Sequence, residues 1–378
     1  MIYLDNASTT YPKPEEVYKA NEYANRNLAF NSGRGGYNVA RDISKMVDET
    51  RREVIGLVNG NNGNKVIFTS SATQSLNQII FGLDWEYNAN VYISPFEHNA
   101  VIRSLTKIKE KYNINIITIP FDNKTWELMV DDLEDMFINK KPKCIFISSK
   151  SNVTGYNIPY REIFTISEKY KSINVLDASQ SFGIKKIDIN ETKIDYIVFA
   201  GHKSLYSVFG IAGFIKNSNE NLNSVIYGGT GSDTLNNNMP DMSPYKYEAG
   251  SLNCVGIYTL KESIEWLKTH NVEKVELELT KYLLDKLANI EKVKLYMPKQ
   301  KDMCDGIISI NVDGYNSDEV GSILDNEFSI CVRTGYHCAP YVHDFINSLN
   351  HLGTVRISLG YYNTKEDIDA LINALKSL

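Results

Sequence analysis

Residues 194–213, IDYIVFAGHKSLYSVFGIAG, decide how the rest of the chain is read. Ile194, Tyr196, Ile197, Val198 and Phe199 make a short apolar run with the character of a buried strand. The run stops at Ala200-Gly201, His202 and Lys203 follow at once, and a second apolar run covers 210–215. A lysine between glycines at the end of a buried strand is placed in a cleft. Partial desolvation there lowers an ammonium pKa towards neutrality and frees the lone pair that attacks a carbonyl. Taken alone, Gly-His-Lys is equally a solvated loop, so the reading depends on what surrounds it.

Outward from this stretch the pattern alternates. Apolar runs at 66–69, 91–94, 114–119, 144–148, 173–176 and 194–199 are separated by segments of helical spacing, such as Leu76, Ile79, Ile80, Leu83 and Ile163, Ile166, Tyr170. Short continuous strands alternating with helices predict an α/β fold, a mostly parallel sheet sandwiched by helices. Ligands of such sheets collect beyond the carboxyl ends of the strands. After about residue 255 the character changes. Two amphipathic helices (Leu260, Ile264, Leu267; then Val275, Leu279, Leu283, Leu287) are followed by strand-like segments at 292–296, 306–312, 328–332 and 354–358. A last helix follows Thr364, whose side chain can cap it. The expected division is an N-terminal segment, 1–15, packing with a small domain; a large domain, 16–254; and a smaller α+β domain, 255–378. Residues 1–40 read as irregular, with glycines 33, 35 and 36 around Arg34 as either a close backbone approach or a turn.

The composition is that of an ordinary globular chain, 43% hydrophobic and 23% charged. The net charge of −6 and the lack of a long basic run exclude a nucleic-acid footprint. The five cysteines are scattered with no CxxC pair, so neither disulfide staples nor a metal site is expected. The opening MIYLDNASTTYPKPEEV has no signal-peptide pattern and no segment is apolar enough to span a membrane, so a reducing cytoplasm is the expected compartment.

Four predicted strand ends supply groups to one cleft. Ser70-Ser71-Ala72-Thr73 opens a helix, where backbone N–H groups and a hydroxyl hold a phosphate or simply cap the helix. Glu97-His98 puts an imidazole over a planar ring, or leaves it in solvent. Asp177-Ala178-Ser179-Gln180 places a carboxylate that needs a cation such as a protonated pyridine nitrogen, or that caps a helix. His202-Lys203 completes the set. Together these are what pyridoxal phosphate requires.

The chain resembles the class V aminotransferase family of fold-type-I pyridoxal-phosphate enzymes, within it the cysteine desulfurases and selenocysteine lyases of the short-loop group. The resemblance runs from YLDNASTT at residue 3 to TVRISLGYYNT at residue 354, and its most specific piece is 333–340, RTGYHCAP. It implies a seven-stranded-type sheet and pyridoxal 5'-phosphate as cofactor, with Lys203 its covalent anchor. Asp177 would pair with the ring nitrogen, Gln180 with the phenolic oxygen, and His98 with the ring face. Ala72, Thr73 and His202 would bind the phosphate, with Ser251 reaching it across a homodimer that shares its sites. Asn152, Arg356 and Arg333 would hold the substrate, L-cysteine or L-selenocysteine, and Cys338 would accept its sulfur, with His337 or the cofactor environment helping to form the thiolate. A protein of unspecified identity would take the sulfur on. The chain departs from the family at Ala200, Ser207-Val208, Ala72 and Ser251, which implies a weaker grip on the cofactor; Gly228 to Gly231 could compensate through backbone N–H groups or be only a turn. Transamination or epimerisation by the same site, or a scaffold or sulfur-relay partner without turnover, are the competing readings.

Overall fold

The computed structural model describes residues 1–33, 35–233 and 235–378; Arg34, in the glycine cluster, lies outside them. A seven-stranded sheet forms the larger body, in the order Lys65–Thr69, Ala212–Lys216, Tyr196–Ala200, Ile173–Asp177, Pro142–Ser148, Asn90–Ile93, Asn115–Thr118. Every pairing is parallel except the two made by Ala212–Lys216. Alternate side chains enter opposite cores: Val175, Tyr196 and Val198 on one face, Leu176, Ile197 and Phe199 on the other. Covering both faces with helices is why these strands read as continuous apolar runs. Each such side chain contributes roughly 1.5–3 kcal/mol through burial. Register also fixes function. Ser148 is level with Asp177, and Asp177 with Val198, so the chain leaves three adjacent strands at one height and on one edge.

Residues 1–40 are not wholly irregular. Helix Glu15–Asn27 and the start of helix Asn38–Gly56 fall within them. The first helix buries only Val17, Ala20 and Ala24 against Cys254–Thr269, too narrow and small a stripe to stand out as periodicity, although Glu15 and Glu16 suit its N-terminal dipole.

A second sheet, antiparallel, has the order Arg333–Gly335, Thr354–Ser358, Ile307–Val312, Val293–Tyr296. The expected strand at 328–332 is reduced to Ile330–Cys331, because Phe328 ends the preceding helix and Ile330 and Cys331 pair with Ile2 and Tyr3. Helix Cys254–Thr269 contributes Ile257, Leu260 and Ile264 to the core of the large sheet, whereas Leu279, Leu283 and Leu287 of Val272–Leu287 join that of the small one. Thr364 caps Lys365–Ser377 in a full capping box with Asp367, as the sequence predicts.

The two bodies are joined by a buried charge cluster. Lys150, after strand Pro142–Ser148, lies 2.5 Å from Asp305 and 3.7 Å from Glu276, and Lys185 lies 2.7 Å from Asp305. Just beyond Lys150, Gly155 takes φ +69°, and a Cβ there would meet the Ile307 carbonyl oxygen at 2.3 Å and that of Asp305 at 2.6 Å. Gly155→Ala is therefore expected to destabilise the protein by about 3 kcal/mol, measured by denaturant unfolding.

Candidate active site

One cavity lies beyond the carboxyl ends of the large sheet's strands. Its walls include Ser71, Ala72 and Thr73, His98, Asn152, Asp177, Ser179 and Gln180, Ala200, His202 and Lys203, which the sequence singled out, and also Ser148 and Lys150. Ser251 is exposed and lies outside this wall, as does the loop of Gly228 to Gly231, to which it is tied by a hydrogen bond from Gly250 N to the Gly229 carbonyl (2.7 Å).

Lys203 sits in a tight turn. Ser207 N donates to the Gly201 carbonyl (2.8 Å) and Tyr206 N to that of Lys203 (2.9 Å). Gly201 is required there, since a Cβ would strike the Ile211 carbonyl oxygen at 2.6 Å. Among the described residues the Lys203 amine has neither an ion pair nor a hydrogen bond. Burial lowers its pKa, and Arg356 and Arg333 push the same way against Asp177 and Cys338. The turn is held from the N-terminal segment: Thr9 Oγ1, Thr10 N and Lys13 Nζ all donate to the His202 carbonyl, at 3.0, 3.1 and 2.8 Å. Lys13 was not foreseen as a site neighbour, and burial without a carboxylate lowers its pKa to about 7.

Asp177 accepts from Ser179 N and Oγ, at 3.0 and 2.5 Å, both through Oδ1; Oδ2 accepts no hydrogen bond among the described residues. His98 caps helix Asn99–Tyr112, its Nδ1 accepting from Ala100 N at 3.0 Å. Burial, with Lys203 in support, lowers its pKa to about 4, so the ring is neutral. Glu97 anchors the turn presenting it, bonded to Ser94 Oγ (2.6 Å), Ser148 N (2.7 Å) and Ser148 Oγ (2.8 Å). Burial raises Glu97 to about 8 despite those donors. Gln180 Nε2 donates to the Ala7 carbonyl at 2.9 Å.

The remaining groups, Arg333, Arg356 and Cys338, are carried by the small sheet and its loop and lie outside that wall. Arg356, 1% exposed, donates to the Asn152 carbonyl (2.9 Å), Asp5 Oδ1 (2.5 Å) and Ser8 Oγ (2.8 Å). Asn152 Nδ2 donates to the His337 carbonyl at 2.8 Å. Cys338 is exposed, with φ +58°, and Arg333 Nη2 lies 3.6 Å from its Sγ. The His337 ring does not serve the thiol in this arrangement. It is buried with Nε2 against the Thr354 carbonyl (3.1 Å) and Oγ1 (2.9 Å), and the cation at the sulfur is Arg333.

These residues fit pyridoxal phosphate. The N-terminus of helix Ala72–Gly82 and the unpartnered, buried His202 Nδ1 are free donors or acceptors for a phosphate; Asp177 Oδ2 is free for a ring nitrogen, and a neutral imidazole and an unpaired amine share the wall. One hydroxyl position is lost, since Ala200 supplies none; Ser207 lies outside the wall, its buried Oγ without a partner among the described residues.

Burial of His337, with Arg356 in support, holds its pKa well below the ordinary value of about 6.5. A group whose folded pKa is depressed in this way contributes stability above its unfolded pKa and loses it as pH falls. The stability gap between the native protein and His337→Gln should therefore narrow as pH drops from about 7 to about 5, followed by urea unfolding; a constant gap would show an imidazole that titrates normally.

Comparison with known proteins places the arrangement. The family model described as Aminotransferase class-V matches residues 2–371. A probable cysteine desulfurase of Methanothermobacter thermautotrophicus is 28% identical, covering 100% of this chain and 94% of the relative. A cysteine desulfurase of Wigglesworthia glossinidia brevipalpis is 29% identical, covering 99% and 92%. The apo structure of a cysteine desulfurase from Thermococcus onnurineus NA1 superposes with a TM-score of 0.89 at 25% identity, covering 100% of this chain and 94% of that one. An amine-bearing cavity at the strand ends, a neutral imidazole and a carboxylate beside it, and a family match along almost the whole length have one explanation: the chain belongs to the class V aminotransferases, a family of pyridoxal-phosphate enzymes.

Proposed function

We propose that this protein is a cysteine desulfurase, converting L-cysteine to L-alanine and taking the sulfur onto Cys338 as a persulfide. The observation that carries the reading is the placement of Cys338. An exposed thiol on a loop of the small domain lies 3.6 Å from a guanidinium, and its backbone carbonyl accepts from Asn99 N at 2.7 Å, next to His98 on the wall that carries Lys203. The similarity to named cysteine desulfurases over nearly the full chain supports the same reading.

Lys203 would anchor pyridoxal phosphate, Asp177 would pair with its ring nitrogen, Gln180 would serve its phenolic oxygen, and His98 would pack on its ring. Ala72 N, Thr73 and His202 would hold the phosphate. Bound there, the cofactor supplies an electron sink for the bonds at the substrate's Cα. Arg356, Arg333 and Asn152 orient the substrate, and the Lys203 amine takes the Cα proton. The Arg333 guanidinium stands where a Cys338 thiolate pairs with it. As the Cys338 S–S bond forms, the Cβ–S bond of cysteine breaks; Cβ takes up a proton, the Lys203 ammonium returns one to Cα, and L-alanine leaves.

The exposed position of Ser251, beside a segment with exposed Tyr227 and Met242, fits a homodimer in which Ser251 reaches the partner's phosphate. A protein acceptor takes the sulfur from the persulfide. No helix among the described residues is long and apolar enough to cross a membrane, and five unpaired cysteines fit a reducing cytoplasm.

Cys338→Ala should lower alanine and sulfide formation from L-cysteine by roughly 10³-fold or more while leaving the visible absorbance of the bound cofactor intact. A variant turning over at the native rate would remove Cys338 from the reaction. Lys203→Ala should lose the native absorbance band itself, scanned on the purified protein.

A further inference from the structure

Arg333 and Arg356 are directly opposite one another on paired strands. Like charges in that relation repel, so something must hold the two guanidiniums together. The N-terminal segment provides it. Ser8 Oγ accepts from Arg333 Nη1 at 3.0 Å and from Arg356 Nη2 at 2.8 Å, and donates to Asp5 Oδ1 at 2.9 Å. Asp5 Oδ1 in turn pairs with Arg356 Nη2 at 2.5 Å. A hydroxyl has one donor and two lone pairs, and this arrangement uses all three. One carboxylate between two guanidiniums leaves one positive charge uncompensated, and Arg333 has no ion-pair partner among the described residues. That residual charge is at the sulfur, since the other nitrogen of Arg333, Nη2, is 3.6 Å from Cys338 Sγ.

Resting on the desulfurase reading, we infer that Ser8 is a positioning residue, clamping Arg333 and Arg356 into one cationic seat for the substrate's α-carboxylate and holding Arg333 against the thiol. The hydroxyl touches neither substrate nor sulfur; it acts through the two arginines. Asp5 sets the charge of the seat, cancelling one guanidinium and leaving the other to attract an anion. The seat thus selects an amino acid over the corresponding amine.

The test compares Ser8→Ala and Ser8→Thr with the native holoenzyme by two readouts. The first is steady-state alanine formation from L-cysteine. Removing an acceptor shared by two charged donors should raise KM roughly tenfold in S8A while kcat falls less than about threefold, and S8T, which keeps the hydroxyl, should stay near native values. The second is alkylation of Cys338, read by mass spectrometry, as the ratio of rates with iodoacetate and iodoacetamide. A guanidinium held at Sγ favours the anionic reagent, so the ratio should fall severalfold in S8A and recover in S8T. Native KM or a native alkylation ratio in S8A would overturn the clamp, as would an S8T as impaired as S8A. If the native protein forms no alanine from cysteine, the desulfurase reading fails, while the alkylation ratios still decide the clamp.

Discussion

A primary amine kept in a cavity with no ion-pair partner among the described residues is the constraint around which the structure is arranged. Burying an ammonium costs several kcal/mol unless it is paired, so at Lys203 the neutral form gains. The surrounding charges maintain this. Arg333 and Arg356 arrive from the small sheet and oppose protonation, while Asp177 and Cys338 pull the other way. The amine therefore depends on both bodies, and assembling the small sheet against the large one is part of setting its chemistry.

Parallel register delivers the other half. Strands that end at one height present Ser148, Asp177 and the turn after Ala200 side by side, and the polar groups just beyond them meet without any long excursion of the chain. The turn itself is fixed from outside the sheet, because the His202 carbonyl accepts three donors from the N-terminal segment. That same segment pairs Ile2 and Tyr3 with the small sheet's side of the molecule and lays Asp5 and Ser8 between the arginines. A short N-terminal stretch thus links the Lys203 turn to the paired arginines.

Much of this was legible in the sequence, for physical reasons that also set its limits. Strands buried on both faces announce themselves as apolar runs, and the residues that follow such runs converge by topology, so Asp177, His98 and Lys203 could be grouped without coordinates. The helix Glu15–Asn27 could not, because three small buried residues, Val17, Ala20 and Ala24, make a weak pattern. Nor could the partners of Arg356, since Asp5 and Ser8 stand about 350 positions away and no local rule joins them. The orientation of His337 was hidden for another reason. Its neighbour in sequence is the thiol, but its backbone φ of +47° turns the ring to Thr354, and the cation at the sulfur comes from five residues earlier.

Electrostatics decides which amine in the cavity is free to meet an aldehyde. Lys150 lines the same wall as Lys203 and is the more deeply buried, yet its pKa moves upward: burial lowers it, and the Asp305 and Glu276 carboxylates more than reverse that. Its charge is committed to joining the two bodies, so its lone pair is not available. Lys13 is also depressed, to about 7, but its nitrogen is held by Thr10 Oγ1 at 2.6 Å and the His202 carbonyl at 2.8 Å, outside the wall. Lys203 alone of the three combines a lowered pKa, a place on the cavity wall and no hydrogen bond on its nitrogen among the described residues. The discrimination comes from partners rather than from burial, since all three are desolvated and only their neighbours differ.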